Sequence, residues 1–131
     1  MEFLSVIIAA VAAFAFGAVY YMALANPWMA AAGIKVGPDG KPANSGNATP
    51  YIVSFVCIVL VAGMMRHSFS LAGIGTFGKG LLSGLGVGLF FISPWIFINT
   101  GYSDRPWKLA VIDAGYATAA ATIIGGTLTL F

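Results

Sequence analysis

Three stretches of the chain carry no charged residue: Phe3–Ala25, Ala48–Met65 and Gly80–Ser103. A fourth, Leu109–Phe131, is apolar except for Asp113. About 20 helical residues cross roughly 30 Å of hydrocarbon. Backbone groups in lipid must bond within their own segment, which selects helices. Strictly alternating segments of the kind that build a membrane barrel are absent from the sequence. The pattern therefore predicts an all-α integral membrane four-helix bundle with spans at about 3–25, 49–67, 80–99 and 107–130 in a single domain.

Punctuation supports these limits. Thr49 is placed to cap the second span, with Pro50 where a missing N–H costs nothing. Ser103 or Asp104 is placed to cap the fourth, with Pro106 in its first turn. Pro94 lies inside the third span, removes a backbone bond to Phe90 and predicts a kink. Ala23-Leu24-Ala25 has the form of a signal-peptide cleavage site, but Glu2 replaces the basic start such peptides carry. The first span is read as uncleaved.

The links are of different kinds. The longest, Asn26–Asn47, opens on Pro27–Gly33, which suits a short interfacial helix, and continues with tight turns over Gly37–Pro42. Arg66–Lys79 is rich in Gly and Ser, and Gly101–Lys108 is short. Asn47-Ala48-Thr49 matches a glycosylation acceptor but lies too close to the bilayer to be credited.

Composition removes most other classes. The chain of 131 residues is 60% hydrophobic and only 8% charged. An ordinary soluble domain is about 25% charged. A net charge of +2 is too small to imply nucleic acid as a partner. The lone Cys57 excludes an internal disulfide. One His and one Cys make no zinc site, so no metal or cofactor is expected. With four spans, Lys35, Lys41, Arg105 and Lys108 fall on one side, and Arg66 and Lys79, with His67 and the terminal amine, on the other. The positive-inside rule then places the long link in the cytoplasm and the termini outside.

Small residues recur at helical spacing: Ala9, Ala13 and Gly17 in the first span, Gly80, Gly84 and Gly88 in the third, and Ala117, Ala121 and Gly125 in the fourth. Helices in lipid approach closely only through such faces. They serve either within one bundle or between copies in a homo-oligomer. The second span is bulkier and is expected to face lipid. A faint internal echo aligns Tyr21–Trp28 with Gly88–Trp95, both ending in Pro-Trp.

The polar and aromatic residues of the spans gather in the half nearer the first and third links. Asp113 is the strongest signal, because a carboxylate in apolar surroundings needs partners or takes up a proton. Tyr20 or Tyr21, Asn99, Lys108 and Arg105 are its candidate partners, and Tyr116 shares its face one turn on. Trp95 and Asn99 share a face of the third span that continues, at regular helical spacing, toward Gly88 and Gly84. Asp113, Tyr116, Asn99, Tyr20, Tyr21 and Trp95 thus form the expected polar site between helices one, three and four. Trp28 and Trp107 are assigned to the interfacial aromatic belt.

Two segments resemble the signatures of a known family. Gly17-Ala18-Val19-Tyr20-Tyr21, followed by Pro27-Trp28-Met29, is one. Arg105-Pro106-Trp107-Lys108-Leu109, followed by Ile112-Asp113-Ala114-Gly115-Tyr116, is the other and the more specific. They are similar to those of the bacterial membrane family catalogued as domain of unknown function 1761. The likeness covers essentially the whole chain. It implies a short four-span protein of the inner membrane and no particular activity. In that family tryptophan usually stands where this chain has Tyr20, and asparagine often stands at the position of Asp113, which weakens a proton-carrying role.

Three functions are left open. One is a binding or transport unit for a proton, cation or small lipid-like ligand in a polar half-cavity around Asp113. Another is a structural or interaction subunit joined through the Gly/Ala faces. The third is an enzyme acting on a lipid or quinone, although no nucleophile or cofactor site accompanies Asp113 and Tyr116.

Overall fold

The computed structural model describes residues 2–42 and 46–131. The terminal amine counted above, and the stretch of the long link at 43–45, lie outside the described residues. The chain is all-α, and four helical spans are long and apolar enough to cross a membrane. Helix α1 runs over Glu2–Ala23 and the short α2 over Ala25–Ala32. Helix α3 runs over Thr49–Ala72. The third span is continuous but composite: α4 (Phe77–Gly86), a π-helical turn (Val87–Ile92) and α5 (Ser93–Tyr102). Helix α6 covers Trp107–Leu128.

Local chemistry explains the ends, and in places revises the expectations. The second span continues past residue 67 to Ala72, because nothing interrupts it before Gly73, whose left-handed φ of 72° closes the helix. Thr49 is the first helical residue and not the cap; its N–H is taken by the Asn47 side chain at 3.1 Å. Nor do Ser103 and Asp104 cap α6. Ser103 turns back to the Asn99 carbonyl, and Asp104, at φ 57°, closes α5 while Arg105 N–H reaches the Thr100 carbonyl. That backward bond is the left-handed helix ending that Asp tolerates better than most side chains. Pro106, in extended conformation, then starts α6. In the long link, Gly37 N–H bonds the Lys41 carbonyl and the Asp39 side chain accepts from Lys41 N–H, which makes the expected tight turn.

Helix α6 is the hub and touches every other helix. Its closest neighbour is α4. The seam is built from Gly80, Gly84 and Gly88 on one side and Gly125, Ala121 and Ala117-Thr118 on the other, in antiparallel register. A β-carbon on Gly84 would run into the Ala121 carbonyl, and one on Gly125 into the Gly80 carbonyl. The small-residue faces are therefore used inside one chain. Ala9 and Ala13 of α1 are fully buried in a core that also holds Ala62, Met65 and Phe69 of α3 and Ala120, Ile124 and Leu128 of α6. Helix α3 otherwise exposes Ile52, Val53, Val56, Leu60 and Met64, as expected of a lipid-facing helix.

The irregularity expected at Pro94 takes the form of the π turn just ahead of it. Ser93 N–H bonds the carbonyl of Gly88, five residues back, and Ser93 Oγ bonds the same carbonyl at 2.7 Å. Ser93 Oγ also lies 3.1 Å from Thr118 Oγ1, tying the turn to α6. One extra residue per turn rotates everything beyond it by about 100° relative to a regular helix. The buried face consequently runs Gly80, Gly84, Gly88, Ser93, Thr100.

Candidate functional site

The site forms where α1 and α2 meet the first turns of α6. Helix α1 breaks at Leu24, and α2 leaves in a new direction that brings Trp28 back over α6. Asp113 lies six residues into α6, about 9 Å along its axis. Its Oδ1 accepts two hydrogen bonds, from Tyr21 Oη at 2.7 Å and from Trp28 Nε1 at 3.2 Å. Its Oδ2 accepts none from the described residues and is not fully buried. No Lys, Arg or His among the described residues forms an ion pair with the carboxylate.

Two further tyrosines fix the geometry. Tyr20 Oη donates to the Ile112 carbonyl at 2.7 Å, and Tyr116 Oη donates to the Ala13 carbonyl at 3.1 Å. Each reaches across to the opposite helix, and each lies over a glycine there. A β-carbon on Gly115 would meet Tyr20 Oη, and one on Gly17 would meet the Tyr116 ring. The two contacts are reciprocal: a tyrosine from each helix, seated on a glycine of the other. A carbonyl already bonded within its helix has a second lone pair for such a donor. The rings of Tyr20, Tyr21 and Tyr116 lie 5.2–5.9 Å apart, and Trp28 packs edge-on against Tyr21 at 5.8 Å. The result is a half-exposed carboxylate in an aromatic shell with one oxygen held and the other open.

Of the residues expected here, Asp113, Tyr20, Tyr21 and Tyr116 come together. Asn99 and Trp95 do not. Both are exposed on the outside of α5, Trp95 at 65%, and neither bonds Asp113. The π turn is the reason, since it turns the Trp95–Asn99 face away from the glycine seam it was expected to extend. The junction thus involves α1, α2 and α6, and the third span does not enter it. Trp28, assigned to the interfacial belt, is instead a ligand of the acid. The signal for it was its place in the Pro27-Trp28 pair just after a helix break. The echo with Pro94-Trp95 was misleading, because one tryptophan points in and the other out. Lys108 and Arg105, also expected near Asp113, are exposed, and the Arg105 guanidinium lies instead against Gly33 at the end of α2. Trp107 is exposed and stacks on Phe97 at 6.2 Å.

The family model for the protein of unknown function DUF1761 matches residues 4–129, and the chain belongs to that family. No curated protein and no solved structure matches it. The two segments that carried the resemblance are the two that face each other in the fold. Gly17, Tyr20, Tyr21 and Trp28 come from the first, and Ile112, Asp113, Gly115 and Tyr116 from the second. With four apolar spans, the chain is a multi-pass membrane protein.

Proposed function

We propose that this protein is a membrane binding unit for an organic cation, an amine or a quaternary ammonium group, held at Asp113. The observation that supports this reading is the unshared Oδ2 of an acid that has no basic partner among the described residues. A carboxylate within a membrane span is stabilised by a counter-charge beyond what hydrogen-bond donors supply. Here it is surrounded by Tyr20, Tyr21, Tyr116 and Trp28. Aromatic faces attract cations, more strongly when water is sparse, and they select organic ammonium groups over small hydrated ions. The rings are packed on one another, which favours a binding station over a conduit. The reading is confined to chains that carry the acid at this position.

Asp113→Asn separates charge from architecture, because the amide oxygen still accepts from Tyr21 and Trp28. In a non-ionic detergent, calorimetric titration with tetramethylammonium chloride is expected to show saturable binding that weakens at least about tenfold, or about 1.4 kcal/mol, in the Asn variant. Equal binding by both proteins, or none by either, removes the proposal. Self-association through the Gly/Ala faces is less well supported, because those faces are already covered inside one chain.

The orientation belongs to the same reading: the α2 side cytoplasmic and the termini outside, in a bacterial inner membrane. Lys35→Cys is expected to react with a membrane-impermeant maleimide in inverted vesicles and not in intact spheroplasts. The native Cys57 lies mid-span on an exposed, lipid-facing part of α3 and is expected to stay unlabelled in both. Labelling of Lys35→Cys in spheroplasts reverses the assignment.

A further inference from the structure

At the other end of the bundle, a second charged group has no counter-ion among the described residues. Arg66 lies six residues before the end of α3, about 9 Å along the axis from Ala72. Its Nη1 donates to the Leu128 carbonyl at 3.2 Å, one of the carbonyls left open at the end of α6. Among the described residues its Nε is buried with no hydrogen-bond partner, and its Nη2 has no partner either and is not buried. The guanidinium forms no ion pair among the described residues. The acidic side chains described, Asp39, Asp104 and Asp113, all belong to the opposite end of the bundle.

Arg66 borders an open cleft of about 360 Å³ between the ends of α3 and α6. Ser70 and Thr129 provide polar walls, and Phe69, Ile74 and Leu128 apolar ones. We propose that this cleft binds a phosphate group through Arg66, with Ser70 as a second donor. With Nη1 on a carbonyl and Nε sealed off, Nη2 is the guanidinium donor left open to a phosphate oxygen, and the full positive charge of Arg66 stands behind it. At this depth the phosphate is either that of a phospholipid, whose acyl chains would continue along Phe69 and Ile74, or a free phosphate from the aqueous side. The site is independent of Asp113, which lies about 22 Å away along α6.

The test is the melting temperature of the protein in maltoside detergent, titrated separately with phosphatidylglycerol, inorganic phosphate and dioleoylglycerol. A rise of several degrees with phosphatidylglycerol but not with dioleoylglycerol is expected. An equal rise with inorganic phosphate identifies a free anion as sufficient; its absence identifies the lipid. Arg66→Gln is expected to lose the rise. Ser70→Leu, at an exposed position that leaves the core intact, fills the cleft and is expected to lose it as well, which keeps the question decidable if the Gln variant does not fold. No rise with either phosphate compound, an equal rise with dioleoylglycerol, or a rise retained in both variants overturns the proposal.

Discussion

Gly84→Leu is expected to prevent the bundle from closing, while Gly86→Leu, two residues along, is expected to be harmless. A β-carbon on Gly84 has no room against the Ala121 carbonyl and the Thr122 backbone, whereas one on Gly86 has nothing within 4 Å. The obstacle at Gly84 is backbone, which cannot swing aside as a side chain can. Opening the α4–α6 seam to admit a leucine also loosens Gly80 against Gly125 and Gly88 against Thr118, because the three glycines form one register. Overpacking a tight core costs about 3 kcal/mol at the upper end of the usual range. Lipid offers no hydrophobic compensation for lost helix contact. Chemical denaturation in mixed micelles, followed by circular dichroism, measures the difference. Equal stability of the two variants would mean that α4 and α6 do not meet at these glycines.

The second large effect is expected at Asp113, with the stability order wild type, then Asn, then Ala. Asp113→Ala leaves the Tyr21 hydroxyl and the Trp28 indole N–H without their shared acceptor, and α2 loses its side-chain hydrogen bond to α6. Stranded donors cost about 1–3 kcal/mol where water cannot reach them. The half-exposed position argues for the lower end, about 1–2 kcal/mol in total. Asp113→Asn keeps the acceptor and loses only the charge assistance, roughly half of the bond strength. The same denaturation measurement orders the three proteins. If Ala is as stable as wild type, the acid does not hold α2.

How far these features were legible in the sequence differs by element. The spans were legible because lipid imposes one requirement, an uncharged run of sufficient length, and the chain meets it four times. The glycine seam was legible because Gly80, Gly84 and Gly88 keep regular helical spacing up to the π turn. Beyond it the same arithmetic failed. Counting on from Gly88 points to Trp95 and Asn99, but the buried residues are Ser93 and Thr100. Pro94 predicts a kink but gives no sign that the helix gains a residue in the turn ahead of it. The pairing of Asp113 with Tyr21 was legible, because a lone acid in an apolar run must find donors at its own depth. Trp28 was not, since its direction depends on how the chain turns at Leu24, and no local residue dictates that angle. The reciprocal seating of Tyr20 on Gly115 and Tyr116 on Gly17 is not legible either, although Gly17 stands in a small-residue face. The missing element was the partner: the small residue makes room for an aromatic ring, not for another small face.

Trp28 itself provides the most direct test of the claim that Asp113 receives an organic cation. With Trp95→Phe and Trp107→Phe in place, Trp28 is the sole tryptophan left of the three, and its indole N–H is bonded to the acid in question. Titration of this protein with tetramethylammonium chloride, against potassium chloride at equal ionic strength, is expected to change Trp28 emission saturably, and the change is expected to vanish when Asp113→Asn is added. An emission that ignores the ammonium ion, or that responds equally with asparagine in place, would contradict it.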